Sequence, residues 1–176
     1  DRIVGRDEQI EQLVNTMNPA VFGQSPSNAL LYGKTGTGKS LCSKHVSRTI
    51  AEVGHEKGVN VQFAYVDCAQ DPTETQTVQS IASSFNDEAE TGISVPEKGI
   101  GTSIYYKRLW RILDQQADVA LVILDEIDKL DTDDVLMQLT RAGEAGKIEH
   151  CKIGVVGISN KIKYKDRMDE RVKSSL

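Results

Sequence analysis

The sequence lacks a net positive charge: 26 Asp and Glu residues against 21 Lys and Arg leave a formal charge of -5. A surface that grips a polyanion over its whole extent is therefore excluded, and any contact with nucleic acid has to be local. It lacks paired cysteines as well. Cys42, Cys68 and Cys151 are odd in number, widely spaced and without a C-x-x-C pair. That pattern fits reduced thiols in a cytoplasmic protein better than a disulfide or zinc framework. His45, His55 and His150 are equally scattered, so neither residue type has metal-ligand spacing. No apolar run approaches the roughly 18 residues that a membrane span needs, and no signal-peptide pattern is present, so no membrane partner is expected. Internal repeats and low-complexity tracts are missing too. The chain does not start with Met and stops abruptly at Lys173-Ser174-Ser175-Leu176, as expected of a piece of a longer protein.

What is present is one domain's worth of chain, 176 residues with 39% hydrophobic content. Ile10, Leu13, Val14 and Met17 fall on one helical face, and Asp7 is the candidate N-cap. Asn18 to Asn28 reads as a loop, Ala29 to Tyr32 as a strand, and Lys39 to Val53 as a helix that Gly54 can end. Val61 to Val66 reads as a second strand. Thr73 can cap a helix whose inward face is Val78, Ile81, Ala82 and Phe85. Asp87 to Gly101 reads as a long loop, and Ser103 to Gln116 as a helix with Tyr106, Leu109, Trp110 and Leu113 facing inward. Tyr105, Tyr106 and Trp110 suit either a core or a base-stacking cluster, and spacing favours the core. Val119 to Leu124 and Ile153 to Ile158 are continuous apolar runs, as strands covered on both faces should be, with a short helix at Asp133 to Ala142 between them. Strands alternating with helices predict an α/β three-layer fold with a mostly parallel sheet and right-handed crossovers.

Directly after the first strand stands Gly33-Lys34-Thr35-Gly36-Thr37-Gly38-Lys39-Ser40, followed by Leu41 at the start of the next helix. The spelling G-x-x-x-x-G-K-[ST] between strand and helix is that of a phosphate-binding loop. Glycines let successive N–H groups turn inward onto phosphate oxygens, and the helix adds its positive end. Lys39 is placed to reach β- and γ-phosphates, and Ser40 to offer its hydroxyl to Mg²⁺. A third strand, Leu121-Val122-Ile123-Leu124, ends in Asp125-Glu126, the Walker B pattern. In an open parallel sheet both motifs lie beyond the C-terminal strand ends. Asp125 is the candidate for the Mg²⁺ shell and Glu126 for the general base that activates water. Asn160, after the next strand, is a candidate sensor of the γ-phosphate. Arg171, with Arg167 as a rival, is a candidate transition-state contact, since a guanidinium stays charged and matches phosphate oxygens.

The base is expected to be adenine. A guanine reader needs Asn-Lys-x-Asp, and Asn160-Lys161-Ile162 is followed by Lys163; the D-x-x-G turn is missing too. ATP or ADP with Mg²⁺ is the cofactor set that follows.

In order, Ile3-Val4-Gly5-Arg6, the phosphate loop, L-D-E-I-D, G-I-S-N and D-E-R-V-K-S-S-L resemble the AAA+ ATPase core of archaeal replication initiators related to the eukaryotic origin-recognition and Cdc proteins. The likeness runs from Arg2 to Leu176, and the terminal D-E-R-V-K-S-S-L is its most specific part. It implies a P-loop NTPase base subdomain over residues 1–176, with lid and winged-helix domains beyond the C-terminus. It also implies adenine packed against Ile3, Val4, Gly5 and Arg6, and Arg171 acting as a finger on a neighbouring initiator subunit. Origin duplex DNA would be met mainly by the C-terminal domain, with a second contact around Asp71 to Gly101, extended by Lys107, Arg108 and Arg111. That insertion holds Glu74, Asp87, Glu88, Glu90 and Glu97 but only Lys98 as a base. Lys161, Lys163, Lys165 and Arg167 form a second basic run that also suits a solvated face. The implied activity is slow, switch-like ATP hydrolysis that controls origin binding and recruitment of the replicative helicase. The alternative is a signalling or scaffold ATPase whose C-terminal part binds protein instead of DNA, and a clamp-loader or remodelling ATPase is a third reading.

Overall fold

A computed structural model describes residues 4–33 and 38–161, with side chains from residue 8 onward. Four strands form one parallel sheet in the order β1-β4-β3-β2: β1 Ala29–Tyr32, β2 Val61–Asp67, β3 Val119–Asp125 and β4 Lys152–Ser159. All four are where the apolar runs predict them. Parallel neighbours need crossovers, and the helices supply them on both faces. α1 (Val4–Met17) and α2 (Lys39–Glu56) cover one face through Leu13, Met17, Cys42, Val46 and Ile50. α3 (Glu74–Phe85), α5 (Thr102–Gln116) and α6 (Asp134–Arg141) cover the other through Val78, Ile81, Leu109, Leu113 and Leu136. The inner strand β3 is buried at every position. Among the described residues no helix is long and apolar enough to cross a membrane.

Several local expectations need correction. Gly54 does not end α2, which runs on to Glu56. Its smallness serves packing instead, because a Cβ there would lie 2.7 Å from Val61 Cγ2. Asp7 lies inside α1 and is not its N-cap, since the helix starts at Val4. The loop at Asn18 to Asn28 opens with a 3-10 turn over Asn18–Phe22, closed by Gly23 at φ 76°. A helical turn, α4 (Glu88–Thr91), interrupts the loop at Asp87 to Gly101, with the Asp87 carboxylate accepting from Ala89 N–H at 3.2 Å. Thr73 does cap α3: its hydroxyl accepts from Gln76 N–H at 3.2 Å in a capping box. Tyr105, Tyr106 and Trp110 are buried in the core, the last two with ring centroids 5.8 Å apart, which sets aside the base-stacking reading. All three cysteines are buried thiols.

The strand starts, at the end of the sheet opposite the phosphate loop, are tied by two carboxylates. Asp114 accepts the backbone N–H groups of Glu149, His150 and Cys151 at 2.9, 2.9 and 2.8 Å, ordering the chain that enters β4. Asp118 accepts Asn60 N–H at 2.7 Å, joining the entries of β2 and β3, and also contacts the His150 ring. Burial pushes the Asp114 carboxyl up, but the three N–H groups and His150 outweigh it and hold the group below its ordinary value. A folded-state pKa below the unfolded value of about 3.9 gives stability that is full above that pH and drains as pH falls through the folded value. Asp114→Asn, which cannot ionise, should lose about 1–3 kcal/mol at neutral pH. Its melting temperature should also fall less steeply than the wild type's below about pH 4. Thermal melts across the acid range check this, and parallel acid limbs would contradict it.

Candidate functional site

β1, β3 and β4 end side by side, and their ends meet the start of α2 around a cleft of about 370 Å³. Gly38, Lys39, Ser40 and Leu41 line it from the entry to α2, Asp125 and Glu126 from the exit of β3, and Ile158 and Asn160 from the exit of β4. Other concavities, of about 450 Å³ over Met137 and Arg141 and about 820 Å³ over Ser80 and Ser83, have no phosphate-loop residue in their walls. Gly38 takes the left-handed conformation at φ 79° as the residue before α2, and with no side chain it leaves the helix's first N–H groups uncapped from that position. A helix start of this kind favours an anion.

Lys39 is only 4% exposed, and its side chain turns back beneath Gly33, where a Cβ would lie 3.4 Å from Nζ. Burial lowers its pKa, and the nearby Asp125 carboxylate offsets part of that effect. Asp125 itself is 8% exposed. Its Oδ1 accepts Glu126 N–H at 2.9 Å, and its Oδ2 accepts the hydroxyls of Ser40 and Tyr65. Hydroxyl and carboxylate oxygens brought together beside a buried ammonium suit a hard divalent cation and a polyphosphate. Ser40 and Asp125, the residues expected to share a metal, are thus in direct contact across 85 positions of sequence.

Glu126 has φ 52° and ψ 46°, the one non-glycine residue at positive φ among those described. Such a conformation costs a non-glycine residue of order 1–3 kcal/mol and commonly marks a site. Burial raises the Glu126 pKa first, then the charges of Asp67 and Asp125 and a hydrogen bond with Asp67; Lys129 opposes them. A carboxyl with a raised pKa is a better proton acceptor when ionised. Asn160 is exposed at the cleft wall. Its corner is held by Asp128: Ser159 donates to Asp128 Oδ1 at 2.9 Å, and Lys161 Nζ stands 3.8 Å from Oδ2.

Sequence reasoning missed Tyr65, Asp67 and Asp128. Tyr65 and Asp67 sit on β2, which the register pairs with β3 so that Asp67 lies opposite Asp125. Burial, then the contact with Asp125, pushes the Tyr65 phenol well above its ordinary value, so it remains a donor at neutral pH. Polar ends on both paired strands, Asp67 on β2 and Asp125 on β3, were the available signal. Ile3, the loop residues Lys34, Thr35, Gly36 and Thr37, and Arg167 and Arg171 lie outside the described residues, as do the side chains of Val4 and Arg6.

A family profile described as "AAA domain" matches residues 23–158, more than three quarters of the chain. ORC1-type DNA replication protein 4 of Halobacterium salinarum is 58% identical over 175 residues, 99% of this chain and 42% of that protein. An ORC1-type DNA replication protein of Pyrococcus horikoshii is 38% identical over 97% of this chain and 41% of its own length. The chain thus spans about two fifths of the length of these relatives. Among solved structures, the Aeropyrum pernix ORC1 protein in complex with DNA superposes with a TM-score of 0.81 at 33% identity, over the whole of this chain and 44% of that one. The relatives are thus archaeal proteins named as ORC1-type DNA replication proteins, and with the profile spanning both phosphate-site motifs this protein belongs to the AAA domain family.

Proposed function

We propose that this chain is the ATP-binding and slowly hydrolysing module of a DNA replication initiator, one that binds origin duplex DNA and helps recruit the replicative helicase. The observation that carries the reading is the meeting of Ser40, Asp125 and buried Lys39 at one cleft beside the uncapped start of α2. In this reading Gly33 to Ser40 wrap the phosphates through backbone N–H groups, with Lys39 supplying the charge and Leu41 flanking the cleft. Ile3 to Arg6 pack against the adenine. Ser40 and Asp125 hold Mg²⁺, which when bound neutralises charge on the β- and γ-phosphate oxygens. Glu126 takes the proton from the attacking water, and Asn160 orients that water or the γ-phosphate. Arg171 reaches the site of a neighbouring subunit, so an isolated subunit turns over slowly and ATP occupancy acts as the switch.

The ORC1-type kinship of the relatives supports the initiator assignment over the scaffold and clamp-loader readings. DNA contact is assigned mainly to a winged-helix domain beyond this chain, with the segment from Asp71 to Arg111 as a second contact. The test is duplex binding by the full-length protein, comparing origin DNA with random sequence across a salt series, in ATP and in ADP. Non-specific binding falls steeply with salt and ignores sequence. The expected result is an origin preference that survives added salt and changes with the nucleotide. Sequence-blind binding that disappears with salt would reject the initiator role while leaving the ATP site in place.

A further inference from the structure

Asp125 is anchored through both carboxylate oxygens, and the two anchors come from different parts of the fold. Oδ1 takes the Glu126 backbone N–H at 2.9 Å, a local contact that any residue but proline after Asp125 could supply. Oδ2 takes two hydroxyls, Ser40 from α2 and Tyr65 from the edge strand β2. The β2–β3 register sets Tyr65 opposite Ile123, two residues short of Asp125, so the phenol reaches along the sheet to the carboxylate. Its ring is held in turn. Lys44 Nζ lies 3.9 Å from the ring centroid, and Lys44 stands one helical turn after Ser40 on α2. A single helix turn therefore carries both the loop hydroxyl and the clamp on the second hydroxyl.

The terminal torsion of an aspartate is broad, so a carboxylate pinned at one oxygen still swings. Of the two hydroxyls on Oδ2, Ser40 belongs to the phosphate loop and is the one a bound ligand engages, whereas Tyr65 serves the carboxylate. We propose that Tyr65, clamped by Lys44, is a positioning residue that fixes Asp125 toward Ser40 and so sets how strongly Mg²⁺ is coupled to nucleotide binding. The inference rests on the ATP reading above and adds to it a residue from the edge strand.

Tyr65→Phe separates the hydroxyl from the ring, since it keeps the packing and the Lys44 contact. The measurement is binding of a fluorescent ATP analogue to the full-length protein, with chelator and then across a magnesium titration, together with thermal melting. The expected result is unchanged affinity in chelator, a melting temperature close to wild type, and a magnesium midpoint raised about 3- to 10-fold, the scale of one net hydrogen bond. Lys44→Ala, which frees the ring but keeps the hydroxyl, should move the midpoint the same way by less. An unchanged midpoint in Tyr65→Phe overturns the inference alone. Equal weakening with and without magnesium also overturns it, because a merely structural role behaves that way. A wild-type protein whose nucleotide affinity ignores magnesium overturns the ATP reading and this inference together.

Discussion

Glu126→Gln should bind ATP as tightly as the wild type and hydrolyse it about 10²–10⁴-fold more slowly, the range that general-base catalysis contributes. The substitution conserves size, and the Glu126 backbone N–H that anchors Asp125 Oδ1 is untouched. Ser40 and Tyr65 keep their hold on Oδ2, so the phosphate side of the cleft should be intact. What disappears is the ability to accept a proton from water. The amide can still donate to Asp67, the partner of the carboxyl in the wild type, so the left-handed turn at residue 126 has no new unsatisfied group. Equilibrium binding of a fluorescent ATP analogue and single-turnover hydrolysis with labelled ATP separate the two effects. Turnover close to wild type would remove Glu126 as the base and shift attention to Asp67.

Lys39→Ala should weaken ATP binding about 10- to 100-fold, since a hydrogen bond to a charged group is worth about 1.5–3 kcal/mol. The Lys39 side chain is buried beneath Gly33, and among the described residues no other lysine lines the cleft to replace it. The same burial makes the group costly to the ligand-free fold, because a desolvated charge is repaid only in part by Asp125. The ligand-free variant should therefore melt near the wild type. The difference appears on adding nucleotide. At a concentration about 100-fold above the wild-type Kd, ATP stabilises by about 2.7 kcal/mol, and a variant weakened 100-fold keeps only about 0.4 kcal/mol. Melting curves with and without ATP would measure it, and equal ATP-induced shifts would exclude Lys39 from phosphate binding.

The placement of these two residues at one cleft was legible from the sequence because the motifs that hold them are written locally. A phosphate loop needs its glycines and lysine at fixed spacing, and a strand buried on both faces spells itself as an unbroken apolar run, as in Val119 to Leu124. The parallel sheet and its two helical layers follow from that alternation. Tyr65, Asp67 and Asp128 were not legible, because each acts through a neighbour far away in sequence. The pairing of Asp67 with Asp125 depends on the β2–β3 register, and the contact of Asp128 with Ser159 depends on two strand ends lying side by side. Gly54 was misread for a related reason: its lack of a side chain answers Val61 on the next strand, not the end of its own helix. Gly157 is a parallel case in β4, where a Cβ would lie 2.6 Å from Leu30 Cδ2 and 3.0 Å from Ile127 Cδ1. Local spelling carries the elements and the phosphate chemistry, while the shell that orients them is set by tertiary register.

The burial of Cys42, Cys68 and Cys151 has a practical side. Thiolate, not thiol, reacts with maleimides, and burial pushes the Cys68 thiol well up and that of Cys151 to about 12. Cys42 is 9% exposed, on the covered side of α2. Leu41, its neighbour in sequence, is 72% exposed at the mouth of the nucleotide cleft. A cysteine introduced at Leu41 would be the accessible thiolate in a chain whose own sulfurs stay silent. These 176 residues are thus already a low-background host for a fluorophore that reports nucleotide arrival and departure, with none of their three cysteines needing removal first.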